Sequence, residues 1–297
     1  MLGAVENIIR VFGYTLWIEI LTVFSPGTIG LEPQFLMPAV LEENSGLVWD
    51  DEHQTFWTHN DSGDKARLFE VDTTGTILNE VMLNGASNVD WEELALDRGT
   101  NTLYVGDFGN NRNKRRDLCI YKLPLPRGSE TEVTTEKISF SYPDQGAYPP
   151  EGRKKEFDME AMVYWNDSLY LFSKNRTEPY SGYTKMYRVP AQPGEYVAEL
   201  VDSFATGGTY YMAQWITAAD LSPSGDRLAL LNNGHLWVFY DFEAPRFLKG
   251  KARKFSFERT TQKEAVTFRN DSLLYVSEEK SSGPGALYQG VIPAVGP

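Results

Sequence analysis

Apolar and polar residues alternate along the chain from about residue 35 onward, which is the pattern of β-strands with one buried face. One strand pattern occurs five times, as "SGLVW", "EELAL", "EAMVY", "TAADL" and "EAVTF", beginning at residues 45, 92, 160, 217 and 264. A second and a third apolar strand follow each copy, and a fourth closes the first four copies. Such self-similarity predicts a fold built from repeated sheets.

The repeat predicts an all-β fold, a five-bladed β-propeller in which each blade is a four-stranded antiparallel sheet around a central channel. The fifth repeat ends without a fourth strand, and "FLMPAV" at 35–40 supplies one from the other end of the chain. We therefore expect an N-terminal strand to close the propeller, which we assign to residues 33–297. A β-sandwich or two stacked domains is the alternative, but five copies of one pattern favour the propeller.

Residues 1–32 form a predicted leader and linker. The stretch 11–24 is apolar apart from Glu19, and Arg10 is the basic residue before it. It is shorter than the about 20 apolar residues that span a bilayer, so the sequence shows no clear membrane span. A degenerate export signal and an ordinary helix or unstructured leader both fit. Export to the periplasm or outside the cell and a cytoplasmic location therefore both remain open.

Composition narrows the class of partner. The formal net charge is −13, which argues against a nucleic-acid polymer, because phosphate backbones are bound by basic surfaces. Cys119 is the only cysteine, so the chain has neither a disulfide framework nor a thiolate metal cluster. An acidic protein of this kind is compatible with a bound cation.

The starts of the five innermost strands should converge on one face of the channel. Every one of these positions carries a side-chain oxygen, and none is lysine or arginine: Ser45, Glu92, Glu160, Thr217 and Glu264. Two carboxylates about 5 Å apart repel by roughly 3 kcal/mol at an effective dielectric near 20. Hard oxygen ligands without imidazole or thiolate favour Ca²⁺, so we predict a calcium ring. The alternative is a water-filled channel whose carboxyl groups have raised pKa values.

The last residues of the second strands should lie on the same face, and they too carry side-chain oxygens: Asn60, Asp107, Ser173, Asn232 and Glu278. We expect Asn60, Asn232 and Glu278 to contact a ligand, together with Asp61 in the turn "NDSGD".

Three aspartates are candidate general bases. Asp107 ends a second strand, and Asp90 and Asp158 each lie two residues before a ring glutamate. The alternative role for Asp90 and Asp158 is in turns or caps. Glu93 has no counterpart, because the other four blades have glycine or alanine at its position.

A basic loop, "FGNNRNKRRD", follows Asp107 and should lie on the oxygen-rich face. Arg112 and Arg115 in this loop, and Lys174 just past another second strand, are candidates for binding phosphate. The alternative is a solvated basic loop that pairs with the acidic surface.

A ring of hydroxyl and glutamate side chains in five blades resembles that of the calcium-activated nucleotidase (apyrase) family. That resemblance implies bound calcium and hydrolysis of phosphate esters or anhydrides. The segments "SGLVW", "WTHNDSGD", "NVDWEELALD", "LYVGDFGNNRN" and "IYKLP" are similar to a largely uncharacterised bacterial propeller family. This second resemblance covers about 35–190 most closely and implies the fold and export.

Two functions follow as hypotheses. The first is a calcium-dependent hydrolase, in which calcium neutralises phosphoryl oxygens and an aspartate acts as base. The second is a non-catalytic propeller that binds a small molecule, a carbohydrate, a peptide or a surface partner on the ring face, with structural calcium. The fold does not decide between them.

Overall fold

The computed structural model describes residues 27–151, 154–208, 214–280 and 285–293, and the leader prediction for 1–26 lies outside them. The described strands form five sheets, which confirms the all-β five-bladed propeller. A 3-10 helix, Phe247–Lys249, follows the third strand of blade 4. Within the described ranges, no helix is long and apolar enough to cross a membrane.

The strands are numbered in chain order. The N-terminal segment and blade 1 contain β1 (Gly27–Thr28), β2 (Leu31–Leu36), β3 (Asn44–Asp50), β4 (Thr55–Asn60), β5 (Arg67–Val71) and β6 (Ile77–Asn84). The next segment contains β7 (Trp91–Asp97), β8 (Thr102–Asp107), β9 (Cys119–Pro124), β10 (Glu132–Thr134) and β11 (Glu136–Ser141).

Blade 3 contains β12 (Asp158–Trp165), β13 (Ser168–Lys174), β14 (Tyr183–Pro190) and β16 (Glu199–Ala205). Between β14 and β16 in the chain lies β15 (Gly194–Val197), which belongs to blade 2. Blade 4 contains β17 (Ile216–Leu221), β18 (Leu228–Asn232), β19 (His235–Tyr240) and β20 (Lys251–Ser256). Blade 5 contains β21 (Lys263–Phe268), β22 (Leu273–Glu278) and β23 (Ala286–Val291).

Blades 1, 2 and 4 have one strand more than the four predicted. A short strand adds in parallel to the outer edge of each: β10 to β6, β15 to β11 and β1 to β20. These strands are two to four residues long and mostly exposed, so they carry no apolar alternation that a sequence pattern could reveal.

The propeller is closed by β2, which pairs antiparallel with β23. This confirms closure by an N-terminal strand, although Leu31–Leu36 begins four residues before the predicted segment 35–40. Strand pairing already begins at Gly27, and Ile29 is 1% exposed, so the folded part starts before residue 33.

The hydrophobic core is divided into five clusters, and each cluster fills the space between two neighbouring blades. One cluster joins blade 5 to blade 1 and contains Trp49, Phe56 and Tyr275, whose rings lie 4.8–5.5 Å apart. Because every blade is packed on both sides, the innermost strands are held in a fixed ring, and their first residues meet at one mouth of the channel.

Candidate functional site

The upper face, defined here as the face where the innermost strands begin, has a β-bulge in every blade. Trp91 pairs with Asp107 and Glu93 pairs with Gly106, which leaves Glu92 as the extra residue. Glu160, Thr217 and Glu264 are the extra residues of blades 3, 4 and 5. A bulge redirects a side chain, and it does so here at the predicted ring positions.

Blade 1 differs by one residue. Ser45 still pairs with His59, and the extra residue is Gly46, which has a φ of +63°. A Cβ on Gly46 would lie 2.9 Å from the backbone nitrogen of Leu94 in blade 2, so both the conformation and the close approach require glycine.

The two hydroxyl groups of the predicted ring are used as donors between blades. Ser45 Oγ donates a hydrogen bond to the Glu92 carbonyl oxygen at 2.7 Å, and Thr217 Oγ1 donates one to the Lys263 carbonyl oxygen at 2.6 Å. Each bond ties one innermost strand to the next. The ionisable part of the ring is therefore its three glutamates.

In blade 3 the ring glutamate is paired with cations. Lys174 Nζ lies 2.8 Å from Glu160 Oε2, and the Arg176 guanidinium is 3.6 Å from the other oxygen. No ring position itself is basic, but these two side chains reach the ring from the end of the second strand. Burial raises the pKa of Glu160 to about 7, and Lys174 opposes the rise.

The predicted bases Asp107 and Asp158 are buried and paired with arginines. Asp158 forms an ion pair with Arg176 and accepts the Asn110 backbone N–H at 2.7 Å. Asp107 lies 2.9 Å from Arg115 and accepts the Asp90 backbone N–H at 3.1 Å. Both carboxylates thus anchor neighbouring loops.

Arg115, a predicted phosphate ligand, is largely committed to the protein. Besides Asp107, its guanidinium contacts Asp117 at 3.1 Å and donates to the Gly109 carbonyl oxygen at 3.0 Å. Arg112, from the same loop, is exposed to solvent. Arg176 stacks over the ring of Trp215, with 4.7 Å from Cζ to the ring centroid, and keeps 21% of its side chain exposed.

Three carboxyl groups from blades 1 and 2 form an acidic cluster: Asp61, Asp90 and Glu92 offer ligand atoms that all lie within 4.8 Å of one another. Burial, reinforced by the charge of Asp90, raises the pKa of Asp61 to about 7. Burial, together with Asp158, raises the pKa of Asp90 to about 6. The pKa of Glu92 is raised well above its usual value by burial and by Glu160.

Gly109, which the sequence did not single out, makes room for the acidic cluster. A Cβ at this position would lie 2.1 Å from Glu92 Oε1 and 2.7 Å from Asp90 Oδ2. The Gly109 N–H also donates to the Asp90 carbonyl oxygen at 3.0 Å. The missing side chain therefore lets two carboxylates sit against the backbone of the basic loop, a close approach that only the three-dimensional structure reveals.

The remaining predicted site residues are spread around the upper face. Glu264 is half-buried, and burial raises its pKa to about 8 although Lys174 opposes the rise. Asn232 Oδ1 accepts N–H groups of its own turn, and Glu278 lies 3.2 Å from Lys263 Nζ. Asn60 donates to the Val40 carbonyl oxygen and to Asp64, and its buried Oδ1 has no hydrogen-bond partner.

Glu93 lies where the other blades have glycine or alanine, and its side chain crosses the channel. Its side chain is fully buried, and Oε2 accepts the backbone N–H of Ala219 in blade 4 at 3.0 Å. Oε1 accepts the N–H of Leu94 at 3.0 Å. Burial raises the pKa of Glu93 well above its usual value. The carboxyl group thus fills the channel below the ring.

No protein-family model and no curated protein sequence matches this chain. Solved structures do match. The PQQ-bound aldose sugar dehydrogenase of Streptomyces coelicolor is 11% identical, with a TM-score of 0.54 over 90% of this chain and 99% of that one. A gluconolactonase of Xanthomonas campestris is 12% identical, with a TM-score of 0.46 over 91% and 99% of the two chains.

A luciferin-regenerating enzyme is 11% identical, with a TM-score of 0.45 over 84% of this chain and 91% of that one. At these identities a likeness concerns the fold alone, and the dehydrogenase agrees with the propeller described above. The comparisons give no support to the resemblance to calcium-activated nucleotidases.

Proposed function

We propose that the protein binds calcium at the acidic cluster and hydrolyses a phosphate ester or anhydride there. The observation that carries the proposal is the approach of Asp61, Asp90 and Glu92 to within 4.8 Å of one another. At that separation each pair of charges would repel by about 3 kcal/mol at an effective dielectric near 20. A divalent cation between the carboxylates would remove this repulsion.

The choice of calcium rests on the ligand atoms. The cluster offers carboxylate oxygens, which suit a hard cation that takes six to eight oxygen ligands, with water completing the set. The cluster fits such an ion better than the centre of the ring, because the ammonium group of Lys174 lies beside Glu160 and repels a second cation. Of the five predicted ring ligands, Glu92 alone belongs to the cluster.

The substrate class rests on the cations beside the cluster. Arg176 keeps 21% of its side chain exposed at the upper face, and a guanidinium group in that place can bind a phosphate. A bound calcium would supply Lewis-acid stabilisation of charge on the phosphoryl oxygens.

We assign Asp90 as the proton acceptor, since solvent reaches it whereas Asp107 and Asp158 are buried and paired. Asp90 would help to hold the cation, and its carboxylate would accept the proton of the attacking water. A bound cation would lower the pKa of Asp90, so its carboxylate would be ionised and able to accept a proton near neutral pH.

The test is turnover of a panel of nucleotides, sugar phosphates and aryl phosphates by the purified protein, with calcium and with chelator. We expect calcium-dependent hydrolysis that falls at least about 100-fold in Asp61→Asn and in Gly109→Ala, whose new Cβ would displace two carboxylates. Asp117→Asn, an exposed carboxylate of the same loop, is the matched control and should keep activity. No turnover of any compound in calcium would refute the hydrolase.

A second function, ligand binding with structural calcium, has an observation in its favour. Asp107, Asp158 and Arg115, three of the groups a hydrolase would use, are engaged with other side chains. In that case calcium binds and stabilises the protein, but no phosphate compound is turned over. Calorimetric titration of calcium into wild type and Asp61→Asn tests calcium binding independently of activity. Export stays a prediction for either function.

A further inference from the structure

A cavity of about 440 Å³ opens on the lower face, where the innermost strands end. It lies between blades 2, 3 and 4, and its wall includes Asp97, Arg98, Tyr164, Trp165 and Asp220. Five residue steps of about 3.3 Å separate Glu92 from Asp97 along β7, so the cavity lies about 17 Å from the acidic cluster. Its volume is in the range of small-molecule sites.

Trp165 is a fixed, half-exposed aromatic surface in this cavity. Its ring system makes a T-shaped contact with Phe247, with ring centroids 6.3 Å apart and planes at 89°. Gly225, with a φ of +74°, lies against the same ring, and a Cβ there would come within 2.3 Å of it. The indole is therefore held in one place while part of it faces the cavity, which lowers the entropy cost of stacking a ligand on it.

The polar groups of the cavity are also held in place. Arg98 donates to the carbonyl oxygens of Trp49 at 3.1 Å and Phe268 at 3.3 Å, which fixes the guanidinium across the channel mouth with 28% of the side chain exposed. Asp97 accepts the Gly99 N–H at 2.9 Å and the Thr100 hydroxyl at 2.6 Å. The Asp97 carboxylate also interacts with the Tyr164 hydroxyl and keeps acceptor capacity beyond these contacts, and Arg98 keeps further N–H donors.

The charges of the cavity select against ions. Asp97 and Asp220 disfavour an anion, and the guanidinium of Arg98, 3.7 Å from Asp220, disfavours a cation. What remains is a neutral ligand with one apolar face and several hydroxyl groups, because the cavity sets an aromatic surface beside a carboxylate acceptor and guanidinium donors. We propose that this cavity binds a neutral saccharide, with one sugar face on Trp165 and hydroxyls bonded to Asp97 and Arg98.

The experiment screens the full chain on an array of neutral glycans and mono- and disaccharides, then measures the affinity of the best saccharide by calorimetry. We expect Trp165→Ala to weaken binding about tenfold or more and Trp165→Phe to retain most of it. Trp237→Ala, which removes a half-buried tryptophan on β19, is the matched control and should leave affinity unchanged. Asp97→Asn, which keeps the side-chain shape, should weaken binding several-fold.

Three outcomes overturn the proposal. The first is a wild-type protein that binds no saccharide on the array or in the calorimeter. The second is a saccharide whose affinity is the same in Trp165→Ala and Asp97→Asn as in wild type, with both variants shown to be folded by their circular dichroism. The third is loss of binding in chelator or in Asp61→Asn, which would place the sugar on the upper face instead.

Discussion

The upper face contains two groups of acids, one in blade 3 and one in blades 1 and 2, that differ in how their charge is balanced. In blade 3, Glu160 and Asp158 are paired with Lys174 and Arg176. In blades 1 and 2, the described residues include no lysine or arginine in an ion pair with the acidic cluster. It is at this cluster that we propose calcium binds. Equivalent positions in a repeat thus take different roles according to what the neighbouring loop supplies.

The largest effect on stability should come from removing a cation that pairs with the acids of blade 3. Arg176→Met would leave Asp158 buried with a charge that has lost its partner, and we expect the free energy of unfolding to fall by about 3–5 kcal/mol. Arg188→Met, which removes an exposed pair with Glu199, is the control and should cost less than about 1 kcal/mol. Urea denaturation measures both, and equal losses would mean that Asp158 does not depend on Arg176.

Stabilisation by calcium should distinguish the acidic cluster of blades 1 and 2 from the paired acids of blade 3. At about 100 times its dissociation constant the ion should add roughly 2.7 kcal/mol to the free energy of unfolding. Glu92→Gln should remove most of this gain, while Glu160→Gln should keep it, because Glu160 is neutralised by Lys174. Calorimetric melting with calcium and with chelator checks this. Equal losses in the two variants would return the ion to the centre of the five-residue ring.

A smaller effect is expected from pH in the metal-free protein. The pKa values of Asp61 and Glu264, about 7 and about 8, are raised in the folded state, so their contribution to stability is full below about pH 4. It is lost as pH rises to about 8, because the folded state holds these protons more tightly than the unfolded chain does.

Denaturation midpoints between pH 5 and 8 test this sign. The decline of the midpoint with rising pH should be shallower in Asp61→Asn. Calcium should also reduce this decline in wild type, since the ion neutralises the carboxylates that have lost their protons. A steeper decline in Asp61→Asn than in wild type would contradict the assignment.

The sequence predicted the blades because strands with one buried face alternate apolar and polar residues. Four of the five predicted ring positions are the extra residues of β-bulges, and Ser45 lies next to the fifth bulge. It could not predict how the side chains are used. Ser45 and Thr217 have the ligand chemistry of a calcium ring, yet their hydroxyls bond to carbonyls of the next blade. Lys174 has no basic counterpart at its position in the pattern, and only folding brings it to Glu160.

The acidic cluster was only partly predictable. Glu92, Asp90 and Asp61 were each singled out, but in three different roles, as a ring ligand, a base and a ligand contact. What joins them is the turn after β4 meeting the start of β7, a contact between blades that strand periodicity does not encode. Gly109 left no signal at all, because a glycine in a loop rich in asparagine looks like an ordinary turn residue.

Glu93 links blades that are not neighbours. Most contacts between blades join neighbours, and Arg98 at the lower mouth is another residue that crosses the channel, so a disturbance at the closure between blades 5 and 1 passes mainly around the circle from one interface to the next. The bond from Glu93 to the Ala219 amide spans the axis from blade 2 to blade 4 and provides a shorter route. Hydrogen exchange at the Ala219 amide would therefore report on the opening of this bond across the channel, separately from the opening of any interface between neighbouring blades.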